Sequence, residues 1–372
     1  MKVFFVSTNH IYGGSEKLWI NAALEISQNH ETYAYVHYQD SFLRKLIKND
    51  VKLITSTKND SKLKSFIKNR IYGSLDLKLN LLKLKPDIVV INEGAIFSSY
   101  NEMKLCQQLK IPFIIINGLV TEAHWSQVSN YNYKNFLSLY SIAKSIFFVS
   151  ERNKSLFVSM LKPMENLKVL KNPFQYNYQN KATLADTTNY SIAYVGRFEF
   201  YHKGLDLLLE ALSQGDWKNR NVRFNFYGDG PHLEVLKFKI EHYKLDFCTI
   251  SSPNFDFSEI WSNNHIAIHT SRFEGKSLSI TETMYNARPI IITNVGGVDE
   301  LIEDGVNGFV IDNFSFASVK DTLERAWEKR NSWAEMGVNA RKKYDSLNYE
   351  KTLGSKINSI IKDILGSISL TV

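Results

Sequence analysis

The sequence predicts an α/β protein of two doubly wound domains with parallel sheets, and three observations carry that expectation. Its 372 residues exceed the usual size of one domain. Short apolar, β-branched or aromatic runs alternate with helical patterns from end to end. One stretch, Asn172 to Thr183, is polar and lacks either period, so it reads as a linker between two such series. The expected division is a first domain over 1–172, a linker over 173–190, a second domain over 191–350 and a terminal helix with its tail over 351–372.

In the first series the strands are expected at Val3–Ser7, Thr32–His37, Lys52–Thr55, Asp87–Asn92, Pro112–Asn117 and Ser145–Ser150. The second series places them at Ser191–Gly196, Arg223–Tyr227, Phe247–Ile250, Ile266–Thr270, Pro289–Thr293 and Gly308–Ile311. Near the C-terminus, Leu353, Ile357, Ile360, Ile361, Ile364 and Leu365 recur at helical spacing. That single apolar stripe predicts a helix packed back across the domains.

Composition narrows the class. Hydrophobic residues at 44% and charged residues at 22% suit a soluble globular chain. No apolar run approaches the ~20 residues of a membrane-spanning helix, and Met1–Val6 is too short for a signal-peptide core. The two cysteines, Cys106 and Cys248, lie in opposite halves, which suits reduced thiols in the cytoplasm and argues against disulfides or a zinc site. Within residues 41–85 twelve Lys or Arg face three Asp, whereas the whole chain is only +7. This basic region, interleaved with Leu, Ile and Phe, suits either a solvated helical face or attachment to an anionic membrane surface, peripherally at the inner face of the cell membrane. Nucleic acid is not expected as a partner, because the basic region is its sole support.

The chemistry concentrates in a few segments. After the first strand, Gly13 and Gly14 precede a helix, where a ligand can approach the backbone and the helix N-terminus favours anions. The full Gly-x-Gly-x-x-Gly fingerprint is absent, which lowers a nicotinamide reading. The second series opens with Gly196 and Arg197, then Lys203 and Gly204 at a helix start. Two cations beside a phosphate-sized gap suit neutralisation of a diphosphate leaving group. The turn Gly228-Asp229-Gly230 closes a strand. Glu274 then leads through Gly275, Lys276, Ser277, Leu278 and Ser279 to Glu282 on a helix, with apolar strands on both sides. One carboxylate can reach sugar hydroxyls, the N–H groups between can face phosphate, and the other carboxylate can reach ribose. The chain contains no Asp-x-Asp, consistent with chemistry that needs no metal or other cofactor.

In order, these segments resemble the retaining glycosyltransferases of family 4, which have the GT-B fold. The likeness spans nearly the whole chain and is most specific from Gly196 to Gly308. It rests on Gly13, Gly14 and Glu16, on Arg197 and Lys203, on Gly228 and Gly230, and on the Glu-x7-Glu pair Glu274 and Glu282. The resemblance implies two Rossmann-like domains facing a cleft, with the nucleotide on the second. Arg197 and Lys203 would hold the diphosphate, Glu274 the transferred sugar and Glu282 the ribose. The N–H groups of Ser277, Leu278 and Ser279 would face phosphate. Retention by same-face attack would leave the acceptor proton to a phosphate oxygen, so no protein base is required. Asn117 stands where many relatives carry a histidine, and Asn117, Glu122 and His124 are the acceptor-side candidates, with Trp125 beside them.

The expected function is transfer of a hexose-type sugar from a nucleoside diphosphate sugar, UDP first, to a glycan or lipid-linked acceptor of the cell envelope. The alternatives are a non-catalytic GT-B subunit that binds glycan or a partner protein, and a GT-B sugar-nucleotide epimerase. The intact Arg197, Lys203, Glu274 and Glu282 set favours transfer.

Overall fold

The structure is a computed structural model, and it describes residues 1–9, 14–37, 50–55, 75–170, 189–251, 257–347 and 352–369. Gly13, most of the expected linker and much of the 41–85 basic region lie outside these residues. The chain divides into two units, one formed by Met1–Pro173 with Tyr349–Val372 and the other by Phe174–Asn348.

The first unit holds a seven-stranded sheet. Its strands are β1 (Lys2–Ser7), β2 (Glu31–Val36), β3 (Lys52–Thr55), β4 (Ile88–Glu93), β5 (Phe113–Asn117), β6 (Ser145–Phe148) and β7 (Leu167–Val169). They lie in the order β3-β2-β1-β4-β5-β6-β7, every pair parallel. Because helices cover both faces, the central strands are apolar without interruption. Val3 and Phe5 of β1 enter one core, with Trp19, Ala23 and Ile26; Phe4 and Val6 enter the other, with Tyr35, Ile91 and Phe148.

The second unit holds β8 (Tyr190–Val195), β9 (Val222–Tyr227), β10 (Cys248–Ser251), β11 (Ile266–His269), β12 (Ile290–Thr293) and β13 (Phe309–Ile311). Their order is β10-β9-β8-β11-β12-β13, again all parallel. In each sheet the chain first builds outward in one direction and then crosses to build in the other. The reversal falls between β1 and β4 in the first unit and between β8 and β11 in the second. At such a switch point the loops leaving adjacent strands diverge, and ligands bind outside the carboxyl ends.

Each expected strand has its counterpart, shifted by a residue or two at the ends. β7 escaped the sequence reading. It is a three-residue edge strand whose side chains are half-buried, exposed and half-buried in turn, so no apolar run marks it. The terminal helix, Leu353–Ser369, seats Leu353, Ile357, Ile360 and Ile361 in the core that holds Leu18, Trp19, Ala22 and Ile26. Thr352 Oγ1 donates to Glu25 Oε2 at 2.5 Å at its start. The apolar stripe thus brings the tail of the chain back to the first unit. Among the described residues no helix is long and apolar enough to cross a membrane.

Candidate active site

In the second unit, Lys203 ends the short helix Phe200–Lys203 after β8, and Glu274 lies in the loop after β11. These are the two strands flanking the switch point, so their loops meet. Lys203 Nζ donates to Glu274 Oε1 at 2.7 Å, with the two side chains 19% and 11% exposed. Burial by itself would raise the Glu274 carboxyl, but the charges of Lys203 and His202 outweigh it and hold the group below the usual carboxylate range.

Backbone geometry makes the meeting possible. Gly204 has φ +64°, and a Cβ there would lie 1.9 Å from the Thr270 carbonyl oxygen. Thr270 Oγ1 donates to the Gly204 carbonyl at 2.8 Å. His202 Nε2 lies 2.8 Å from the Phe273 carbonyl, and Arg272 makes a two-pronged pair with Asp206 at 2.8 and 2.6 Å. The loop 270–274 is therefore tied at several points to 201–206. Behind it, Gly296 (φ +62°) brings its backbone against Glu274 and Gly275, where a side chain would stand 2.5 Å from the Gly275 carbonyl oxygen.

Beyond Gly275, the Lys276 side chain is 4% exposed, with Nζ 3.9 Å from Glu300 Oε2. The helix Leu278–Tyr285 follows. Its N-cap, Ser277, makes no side-chain cap hydrogen bond; its Oγ pairs with Ser279 Oγ at 2.7 Å instead. Glu282 is buried on this helix, 8% exposed, with Trp261 Nε1 at 3.5 Å. The far end of the helix is anchored by Arg288, whose Nε donates to the Asn264 carbonyl at 2.7 Å and whose Nη2 donates to the Trp261 carbonyl.

The remaining donor-side candidates divide by role. Gly196 and Gly228 face each other at the ends of β8 and β9, and a Cβ on Gly228 would lie 2.0 Å from the Gly196 carbonyl oxygen. Asp229 is exposed and folds back so that its Oδ1 accepts from the Gly230 N–H at 2.7 Å, a turn-forming bond. Arg197 is exposed, and its carbonyl accepts from Tyr194 Oη at 3.0 Å. Gly14 begins the helix Gly14–Ser27 of the first unit, whereas Gly13 lies outside the described residues.

On the first unit, Asn117 is fully buried and donates from Nδ2 to Glu93 Oε2 at 2.8 Å. Ser99 Oγ and Tyr140 Oη donate to the other Glu93 oxygen at 2.9 and 2.8 Å. Burial raises the Glu93 carboxyl against these hydrogen bonds. Asn117 Oδ1 has no hydrogen-bond partner among the described residues. His124 is buried, and its Nδ1 accepts from the Thr121 N–H at 3.0 Å in a capping box. That bond puts the proton of a neutral imidazole on Nε2, and burial lowers its basicity. Glu122 is mostly exposed and pairs with Arg152 at 2.9 Å, while Trp125 is exposed.

Two site-adjacent groups escaped the sequence reading. His269, the last residue of β11, is 3% exposed with Nε2 unpartnered among the described residues; burial and then the Lys203 charge push its pKa down to about 4. Glu93 closes β4. His269 is the one polar residue ending an apolar strand, and Glu93 follows Asn92 at the polar end of β4; polar residues at the carboxyl end of an apolar run are the sequence feature that marks both.

Residues 175–343 match the family model described as glycosyl transferases group 1. Among curated relatives, an alpha-D-kanosaminyltransferase of Streptomyces kanamyceticus is 33% identical over 153 residues, 40% of this chain and 39% of that protein. A poly(ribitol-phosphate) alpha-N-acetylglucosaminyltransferase of Staphylococcus aureus is 27% identical over 141 residues, 37% of this chain and 29% of the relative. The chain thus spans well under half the length of these relatives. The solved structure of Anabaena HepE in complex with UDP and glucose superposes with a TM-score of 0.73 at 18% identity, covering 99% of this chain and 100% of that one. The two parallel-sheet domains and this likeness give the GT-B fold, and the group 1 match falls within the second unit.

Proposed function

We propose that this protein is a retaining glycosyltransferase of family 4 that moves a hexose-type sugar from a nucleoside diphosphate sugar, UDP first, onto a glycan or lipid-linked acceptor in cell-envelope polysaccharide synthesis at the cytoplasmic side. The observation that carries the reading is the Lys203–Glu274 pair at the β8/β11 switch point, three residues before the N-cap of the Leu278–Tyr285 helix. The HepE complex with UDP and glucose and the sugar transfers named for the relatives support it.

In this reading the diphosphate lies against Arg197, Lys203 and the N–H groups of Ser277, Leu278 and Ser279, where cations and a helix N-terminus stabilise negative charge. Glu274 accepts from hydroxyls of the transferred sugar and Glu282 from the ribose. As the bond from anomeric carbon to phosphate oxygen breaks, the acceptor oxygen bonds to that carbon on the same face, and the departing oxygen takes its proton. No metal is needed, because Arg197 and Lys203 meet the growing charge.

A thermal-shift panel with UDP, GDP, ADP and NAD tests the reading. A nucleoside diphosphate at ~100 times its dissociation constant should stabilise the fold by ~2.7 kcal/mol. NMR of the product then reports the anomeric configuration. No shift with any nucleotide, or an inverted product, overturns it.

A further inference from the structure

The helix at 75–84 has an apolar outer face that is exposed among the described residues. Leu77 and Leu81 turn inward, 4% and 1% exposed, into the core that holds Val6 and Tyr35. Leu75, Leu79 and Leu82 turn outward, 46%, 58% and 47% exposed. At about 100° per residue these three fall within an arc of roughly 60°. Lys78 lies on one flank of that arc and Lys83 on the other, both exposed, and Lys85 follows the helix. The one acid of the helix, Asp76, accepts from Tyr35 Oη at 3.1 Å.

A surface helix of a globular protein ordinarily shows polar residues outward. Three leucines in a row along the axis, bordered on both sides by ammonium groups, have the geometry of a helix lying in a lipid headgroup layer. The leucines would sit at the acyl boundary while the lysine stems reach outward to phosphates.

We propose that this helix docks the protein onto an anionic phospholipid surface. Lys78, Lys83 and Lys85 against the single Asp76 give this segment a net positive charge, complementary to such lipids. The inference is independent of the glycosyl-transfer reading, because attachment needs no substrate.

The test is co-sedimentation of the full chain with vesicles of phosphatidylcholine alone or with one quarter phosphatidylglycerol. Binding is expected only to the anionic vesicles and should weaken as salt rises. Lys78→Glu with Lys83→Glu should cut binding by at least about fivefold per site. Leu79→Ser with Leu82→Ser, which leaves the charge unchanged, should cut it on the order of tenfold per site. Failure of the parent protein to bind anionic vesicles overturns the proposal. So does parental binding by the leucine variant, which would assign attachment to charge elsewhere. A light-scattering dimer that the leucine variant dissociates would assign the face to a second copy of the chain and also overturns it. Nucleotide-induced thermal shifts retained in both variants keep this outcome separate from that of the transfer site.

Discussion

Lys203 and Glu274, 71 positions apart in sequence, meet in a 2.7 Å ion pair at the carboxyl ends of the two strands that flank the second sheet's switch point. A donor's phosphate or sugar hydroxyl that engages either side chain must exchange with this bond. The pair holds a cation and an anion in adjacent, largely buried positions.

Removing the acid exposes the dependence. In Glu274→Gln the mostly buried Lys203 loses its counter-charge, and stability should fall by about 1–3 kcal/mol in urea unfolding. The folded-state carboxyl titrates below its ordinary value, so its contribution is present above that value and lost as pH falls through the folded pKa. The variant should therefore show a flatter loss of stability below about pH 4.5 than the parent. An unchanged acid limb would show that the pair contributes nothing.

Lys203→Ala is expected to lower turnover by about 10²–10³-fold while donor affinity falls less than tenfold, because leaving-group charge grows in the transition state. Steady-state kinetics with a titrated donor separates the two. Equal losses would show a residue that binds only the ground state.

Glu282 is buried near Trp261 on the helix that Ser277 caps. Glu282→Ala should weaken nucleoside diphosphate binding at least tenfold, about 1.4 kcal/mol, in calorimetry. Parental affinity would refute the ribose role.

His269 is held neutral by burial, with a pKa of about 4. Its unfolded counterpart takes up a proton near 6.5, so the stability it confers is complete above 6.5 and is lost as pH falls toward 4. The loss is on the order of 3 kcal/mol, and His269→Asn should remove that slope. Because Lys203 contributes to the depression, Lys203→Ala should raise the His269 pKa, as read by NMR titration.

Gly204→Ala sets a Cβ against the Thr270 carbonyl, a backbone atom that cannot swing aside, at a φ of +64°. A loss of at least about 2 kcal/mol is expected, visible as a lowered melting temperature. Parental stability would mean that the two loops are not locked together.

The sequence by itself determined the architecture. Apolar runs such as Ile88–Ile91 and Ile290–Ile292, alternating with helical patterns, suit strands buried on both faces of a parallel sheet, and the stripe from Leu353 to Ile361 requires a partner face. Residue types and spacing likewise singled out Lys203, Glu274 and Glu282 as candidates, since a cation suits anion binding and carboxylates suit hydroxyl recognition. Tertiary structure alone decided which groups face each other. Strand order places the loops after β8 and β11 side by side, and no local pattern encodes strand order. The same limit hid the roles of Asn117 and His124. Asn117 looked like an acceptor-side group, yet its amide donates to the buried Glu93 from a neighbouring strand. His124 was an acceptor-side candidate on residue type alone, and the structure shows its ring capping the turn that begins at Thr121. Burial and pairing of a polar side chain depend on residues far away in sequence, so they become visible only when the sheet is assembled.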